Sequence, residues 1–269
     1  MPAFTPHSDS DGSNTKIKSK YQELYDGISK YLNSAPGGNS THFLNYGYRS
    51  LGGPDEARLD VPGGVPGADS MRLVFELVGP VELANRSVID IGCGRGGPAS
   101  LMAGKLGAVV TGVDLSPEAI AYCRRTHRAV GMRFETGDAE AVPLDAGSAD
   151  VITNIESSHT YPSMRSFLSE VRRLVRPGGW FLHTDMLFGG RWREVRSTLE
   201  TLGFAIESDR DITQNVLASR NAMARHRSGA DTRNPILDNI LGLPGSDVYN
   251  LLESSACEYR IVRSRLGGS

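Results

Sequence analysis

The stretch VIDIGCGRGG at residues 88–97 constrains this chain more than any other. A β-branched apolar run carries an acid, Asp90, near its end, and a cluster of glycines follows. Pro98 and an alanine-bearing segment come next, so the local order reads strand, tight turn, helix. Glycines let the backbone pass close beneath a ligand, and the helix N-terminus behind them offers unpaired N–H groups. The acid adds information: a carboxylate there repels a pyrophosphate and suits a cationic amino-acid group. Gly92, Gly94 and Gly97 satisfy the dinucleotide pattern G-x-G-x-x-G, while Asp90, Gly92, Gly94 and Gly96 satisfy D-x-G-x-G-x-G. The first pattern is weak alone, so the rest of the chain has to choose between them.

A chain of 269 residues fits one domain with a lid or extension. A formal net charge of −2 lacks the basic excess of a nucleic-acid-binding domain, so no nucleic acid is expected as partner. The longest apolar runs are strand-sized, so no membrane span is expected. The first residues lack the basic and apolar regions of a signal peptide. Three cysteines without C-x-x-C spacing suggest reduced thiols and no structural zinc. These features predict a soluble, cytoplasmic protein.

Residues 1–15 are polar and aperiodic and read as a disordered leader. Residues 16–84 form an N-terminal cap segment. Its first helix spans residues 16–33, an aromatic stretch with Tyr46 and Tyr48 follows, and after a loop at 52–67 a second helix begins at Ser70. Residues 85–211 alternate strand and helix. Strands are predicted at 87–92, 108–114, 132–136, 149–156, 180–186 and 204–211, and a seventh at 258–266. Ser116 and Pro117 open one helix, and Gly131 is expected to stop it. Pro177-Gly178-Gly179 is expected to end the helix that precedes the fifth strand. Residues 212–256 are too long for an ordinary connection and read as a helical lid, with residues 257–269 as last core strand and tail. The fold class is α/β: a doubly wound, seven-stranded, mostly parallel sheet with a helical lid.

Ligands of such sheets sit outside the carboxyl ends of the strands, so strand-end residues carry the functional signal. Asp114 lies 22 residues past Gly92 at the second strand end, where an acid can accept both ribose hydroxyls. Gly137-Asp138-Ala139-Glu140 follows the third strand, and a carboxylate there can accept the exocyclic amine of adenine. With Asp90, three successive strand ends carry acids, and this favours the second glycine pattern.

IDIGCGRGG, VDLSPEA, GDAEAVPLDAGSADVI and FLSEVRRLVRPGGWFLHTD resemble successive motifs of the class I S-adenosylmethionine (SAM) dependent methyltransferases over residues 85–190. FLNYGY, NIESSHTYP and LPGSDVYNLLESSACEYRI are similar to the phthiotriol, rifamycin and rapamycin tailoring type, which act on small molecules. The resemblance implies a Rossmann-like fold, SAM as cofactor, and O-methylation of a hydroxyl on a bulky polyketide or lipid-like acceptor. It implies a cofactor site of Asp90, Gly92, Cys93, Gly94, Gly96, Asp114, Leu115, Asp138, Ala139, Asn154 and Ile155. Tyr46 and Tyr48 are placed to close over the sulfonium. Tyr46 is assigned to the cofactor, and Tyr48, Glu156, Tyr161 and Met223 to the acceptor.

An alcohol attacks poorly unless a base takes its proton as the bond forms. His159 follows the fourth strand and Asp185 ends the fifth, so an acid that orients an imidazole is geometrically reasonable. Members of the similar family use a His at the matching ESSH position, often with an acid at the matching strand end. His159 is therefore the expected general base and Asp185 its partner. Of the other histidines, His42 could gate the site, His127 is placed on a polar helix face, and His183 lies mid-strand with ambiguous facing. His7 falls in the leader and His226 in the lid. No metal is expected, the alternative being Mg²⁺ held by Asp185 with a lid acid. The lid apolars, among them Ile236, Leu237, Ile240 and Tyr249, read equally as acceptor pocket, homodimer contact or core. Rival functions are N- or C-methylation, a SAM-bound cyclase that transfers no methyl, and an NAD-dependent oxidoreductase.

Overall fold

The computed structural model describes residues 11–35, 37–52, 61, 65–227 and 235–268. Two helices, α1 (Asp11–Ser34) and α2 (Ala68–Val78), precede the sheet. Then strand and helix alternate: β1 (Ser87–Ile91), α3 (Gly97–Leu106), β2 (Val109–Asp114), α4 (Pro117–Thr126), β3 (Met132–Thr136) and β4 (Ala149–Ile155). They continue as α5 (Met164–Leu174), β5 (Val175–Phe188), α6 (Gly189–Thr201) and β6 (Phe204–Asp211). Three helices, α7 (Thr213–Arg227), α8 (Pro235–Ile240) and α9 (Asp247–Glu253), fill the connection to β7 (Cys257–Leu266).

The strand order is β3-β2-β1-β4-β5-β7-β6, parallel except for β7, which inserts antiparallel between β5 and β6. Order reverses between β1 and β4, and the crevice of a doubly wound sheet opens at that switch point. The inner strands are buried on both faces, as their β-branched runs require: Val151, Ile152 and Thr153 of β4 have no exposure. One face carries α2, α3, α4, α7 and α9 through residues such as Leu73, Leu77, Met102, Ile120, Val216 and Leu252. The other carries α5 and α6 through Phe167, Val171, Leu174, Trp192 and Leu199. The segment expected as a lid is thus partly core: Ile212, Val216, Val248 and Leu252 share an apolar cluster with Tyr259 and Ile261 of the last strand.

Three boundaries differ from expectation. Helix α1 begins at Asp11, inside the predicted leader, while residues 1–10 lie outside the described residues. Helix α5 ends at Leu174, and its cap residue Val175 already has strand geometry. Pro177-Gly178-Gly179 instead forms a bulge in β5: Ala149 pairs with Val175 and Val151 with Trp180, with Gly178 at φ +77°. Helix α4 stops at Thr126, well before Gly131. His127 follows it and is not on a polar face. It packs edge-on against His42 and Tyr122, and its Nε2 lies 2.8 Å from the Arg95 carbonyl.

Arg95, in the glycine loop, holds α1 against the sheet. Its buried guanidinium donates to the carbonyls of Thr41 (2.8 Å) and Gly38 (3.1 Å) and to Asn33 Oδ1 (3.0 Å). It also sits 3.5 Å from the centre of the Tyr122 ring. Arg95→Ala leaves these acceptors buried and unpaired, at about 1–3 kcal/mol for each acceptor that water cannot reach. Limited trypsin digestion should then cut at Lys16, Lys18 and Lys20 of α1 faster than in the parent protein. Unchanged cleavage there would show that α1 is held by other contacts.

Candidate active site

The glycine turn after β1 is shaped by close approach. Gly92, Gly94 and Gly96 have φ of 73°, 52° and 73°, a region that side chains rarely adopt. A Cβ on Gly92 would fall 2.1 Å from Ser157 Oγ and 2.7 Å from the Tyr161 hydroxyl. The turn is thus pressed against the loop after β4, and the two together floor a cavity at the strand ends.

Acids rise from that floor in strand order. Asp90 is 1% exposed; its Oδ1 accepts the Thr153 hydroxyl at 2.7 Å, and its Oδ2 is buried without a partner. Burial, with Asp114 nearby, pushes the Asp90 carboxyl up to about 7. Asp114 accepts the N–H groups of Gly94 (2.8 Å) and Ser116 (2.9 Å), yet burial still raises it. Asp138 Oδ2 is held by Lys18 of α1 at 2.6 Å, and the same ammonium meets Glu140 at 2.7 Å. Cys93, Leu115, Ala139 and Ile155 line the cavity between these acids.

On the β4–β5 side stand Glu156 and His159. Glu156 has φ 50°, and its Oε1 accepts the Tyr46 N–H at 2.6 Å and the Tyr259 hydroxyl. Burial pushes its carboxyl to about 7. His159 Nδ1 lies 2.8 Å from Oδ1 of the fully buried Asp185, which does not end β5 as expected but follows its last pairing with β4, the strand running on to Phe188 against β7. Burial alone would lower the His159 imidazolium, but the Asp185 charge and hydrogen bond, with Glu156 behind them, raise it above its ordinary value. Burial would likewise raise Asp185, and here His159 and the Ser158 hydroxyl hold the carboxyl below its usual range. The His159 side chain keeps 19% exposure although its partner has none, so the ring opens on the cavity wall.

Five residues assigned to the site from sequence do not line the cavity: Asp185 stands buried behind His159, Gly96 turns towards His127 and Cys123, and Tyr48, Asn154 and Met223 lie elsewhere. The chain turns at Gly47 (φ 74°), and Tyr48 is buried in the core, 5.7 Å beneath the Arg210 guanidinium. Asn154 is buried within β4 and donates to the Ile91 carbonyl (2.9 Å), Ser157 Oγ (2.8 Å) and the Tyr161 hydroxyl (3.1 Å). It fixes the floor and is not part of its surface. Met223 faces outward on α7 at 37% exposure, its sulfur near Arg220. Tyr46, Glu156 and Tyr161 do line the cavity. So does His42, whose Nδ1 lies 2.7 Å from the Tyr122 hydroxyl. His7 and the side chains of His226, Ile236 and Leu237 lie outside the described residues. Among the described residues no cluster of three His, Cys, Asp or Glu side chains is arranged to hold a metal ion.

The sequence allowed the N-terminal helix to form an acceptor pocket with the lid, but no residue of α1 was assigned to the site. Tyr21, Leu24, Tyr25 and Ile28 face the cavity, joined by Ile240 of α8 and Val248 of α9. Their i, i+3, i+4, i+7 spacing was the available signal, but that pattern marks any packed helix face. Lys18, Tyr259 and the buried pair Ser158 and His183 carry no comparable signal.

The family model described as "Methyltransferase domain" matches residues 89–183. The phthiotriol/phenolphthiotriol dimycocerosates methyltransferase of Mycobacterium tuberculosis is 30% identical over 260 residues, covering 93% of each chain. The fatty-acid O-methyltransferase of Mycolicibacterium smegmatis is 35% identical over 180 residues, 64% of this chain and 61% of that one. Among solved structures, the 4+2 cyclase SpnF superposes with TM-score 0.70 at 20% identity, covering 94% of this chain and 97% of its own. Geranyl diphosphate C-methyltransferase from Streptomyces coelicolor, solved with Mg²⁺, geranyl diphosphate and S-adenosyl-L-homocysteine, gives 0.66 at 17% identity, covering 90% and 98%. At such identities these two speak for the fold. The match over 93% of both chains speaks for more: this chain belongs to the family of the phthiotriol/phenolphthiotriol dimycocerosates methyltransferases and is a SAM-dependent methyltransferase.

Proposed function

We propose that this enzyme methylates a hydroxyl of a bulky lipid- or polyketide-like acceptor, with His159 as general base. The observation that carries the reading is the 2.8 Å hydrogen bond between His159 Nδ1 and Asp185. An ionised carboxylate only accepts, so the proton resides on Nδ1 and the lone pair on Nε2. A base so oriented can take the proton of an alcohol as the oxygen attacks.

Features of the cavity fit the cofactor. The unpartnered Oδ2 of Asp90 suits the ammonium of an amino-acid moiety, and the glycine turn leaves no room for side chains where a ligand must lie close. Each Asp114 oxygen keeps a lone pair for a ribose hydroxyl, and Asp138 with Ala139 is assigned to adenine. Cys93, Leu115, Ile155 and Tyr46 complete the enclosure. SAM supplies a methyl group on a sulfonium, and an in-line displacement needs little beyond positioning. Tyr21, Leu24, Tyr25, Ile28, Ile240 and Val248 give the remaining wall an apolar character, with Glu156 and Tyr161 as polar contacts for the acceptor. The dimycocerosate and fatty-acid substrates named for the relatives support an acceptor of this kind. The His159–Asp185 pair favours transfer over the cyclase chemistry named for one structural neighbour, since cyclisation needs no base for an alcohol.

Incubation with SAM and a panel of long-chain alcohols, phenols and hydroxy acids should give products heavier by one methylene. Products of unchanged mass would support a cyclase instead. His159→Ala should lower kcat by roughly 10²- to 10⁴-fold with SAM affinity retained; parallel loss of both would remove His159 from the role of base. Because neutral His159 is the active form and its imidazolium is raised, kcat/KM should fall as pH drops through a value above the ordinary histidine range. In Asp185→Asn burial dominates, so the ascending limb should move to lower pH with a much lower plateau. A limb that stays in place contradicts the pairing.

Asp90 yields a separate expectation. Its carboxyl, raised to about 7 by burial, should ionise when a cation binds beside it. Calorimetric titration with SAM just below that pH, in two buffers of different ionisation enthalpy, should reveal proton release that Asp90→Asn diminishes. Equal release in both proteins would place the cationic group elsewhere.

A further inference from the structure

Behind His159 lies a buried chain of polar groups that methyl transfer has not yet called upon. Asp185 and His183 alternate on β5 and so share one face of the sheet. Between them, from the turn after β4, comes Ser158. Its Oγ is 2.6 Å from Asp185 Oδ2 and 2.9 Å from His183 Nε2, and all three side chains are fully buried. We propose that Ser158 and His183 are positioning residues that fix, through Asp185, which nitrogen of His159 carries the proton. This rests on the reading of His159 as the general base.

The protons along the chain can be assigned by elimination. Asp185 is ionised and has nothing to donate. Its Oδ1 accepts His159 Nδ1 at 2.8 Å and the Met186 N–H at 2.7 Å, while Oδ2 accepts Ser158 at 2.6 Å and the His159 N–H at 3.0 Å. The single hydroxyl proton of Ser158 therefore goes to Asp185, which leaves Ser158 Oγ as an acceptor towards His183. Nε2 of His183 must then carry a hydrogen, and Nδ1 must be bare. The structure agrees: Nδ1 of His183 is buried with no partner, tolerable for a lone pair and costly for an N–H. Phe181 stacks on the His183 ring at 5.3 Å and Trp192 lies 5.1 Å away, so the ring is held and no charge is welcome there. Burial lowers its imidazolium to about 4, which keeps it neutral.

All protons thus converge on Asp185: His183 donates to Ser158 and Ser158 to Asp185 from behind, and His159 donates to it from the cavity side. Rotation of the carboxylate would break four hydrogen bonds together. The donation from Ser158 also spreads the Asp185 charge, so it moderates how strongly that charge holds a proton on His159. Other groups face the pair. Glu156 stands after β4, with Arg220 of α7 electrostatically linked to it. Tyr25 of α1, Tyr46, and Tyr161 after β4 are held neutral by burial, as are Tyr259 and Cys257 of β7.

Nitrogen NMR of the full-length protein with ¹⁵N-labelled histidine tests this without an acceptor, the signals being assigned through His159→Gln and His183→Gln. In the parent protein His183 should show the Nε2–H form and His159 the Nδ1–H form. Ser158→Ala should shift the His159 titration to higher pH, as a less shared carboxylate attracts the imidazolium more strongly. His183→Phe should shift it less and in the same direction. His183→Gln, which retains a donor at the place of Nε2, should restore the parent midpoint. An Nδ1–H form of His183, or a His159 titration indifferent to Ser158→Ala, overturns the proposal. Methyl transfer surviving in His159→Ala, with these shifts intact, would instead overturn His159 as base and leave the positioning chain standing.

Discussion

Four carboxyl groups are buried together near the ends of the parallel strand pairings, and the site is organised by how each meets the cost of losing water. Asp90, Asp114 and Glu156 are raised by burial, with Asp90 and Glu156 near 7. Asp185 is as deeply buried and is held low. The difference lies in donors. Asp185 receives four hydrogen bonds and faces an imidazole, whereas Asp90 receives one and leaves an oxygen orphaned. A buried carboxylate without donors is a demand for a cation, and one saturated with donors is a fixed charge that orients its neighbour. One half of the cavity is therefore built to receive charge from a ligand, and the other brings its own.

The part of this arrangement legible in the sequence is the part fixed by strand topology. Acids and glycines at strand ends fall in the crevice wherever the strands run parallel, so Asp90, Gly92, Asp114, His159 and Asp185 could be named without coordinates. Tyr48, Asn154 and Met223 depended instead on rotations that composition does not record. A positive φ at Gly47 sends Tyr48 into the core, pleat alternation buries Asn154, and the roll of α7 turns Met223 outward. The same holds for Pro177-Gly178-Gly179. As residue types they stop a helix, but the helix had already ended at Leu174, and they serve as a bulge. Ser158 and His183 were illegible for a further reason: a buried serine and histidine look like any other core polar residues until their partners are known.

Helix α1 joins the two halves of the site. Its Lys18 holds Asp138 and Glu140 at one end of the cavity, Asp26 accepts from Ser116 beside Asp114, and Tyr21, Leu24, Tyr25 and Ile28 close the apolar side. The helix thus spans from the carboxylate assigned to adenine to the wall assigned to the acceptor. An ammonium already seated on Asp138 has a consequence for binding: an adenine amine must share that carboxylate with Lys18 or displace it. Contact at the nucleotide end is thereby mechanically linked to the helix that walls the reacting end.

That linkage suits the chemistry. A sulfonium is vulnerable to water, and in the role proposed for it the His159 imidazole competes with water for the acceptor proton, so both gain from an enclosed, low-dielectric chamber. Because Arg95 ties α1 to the same loop that carries Gly94 and Gly96, this wall of the chamber and the floor proposed for the cofactor are held together. The buried guanidinium of Arg95 would be a poor investment for stability alone, since it offsets its desolvation only with neutral acceptors and one aromatic face. Its position makes sense as the joint that keeps the wall of the chamber in register with its floor.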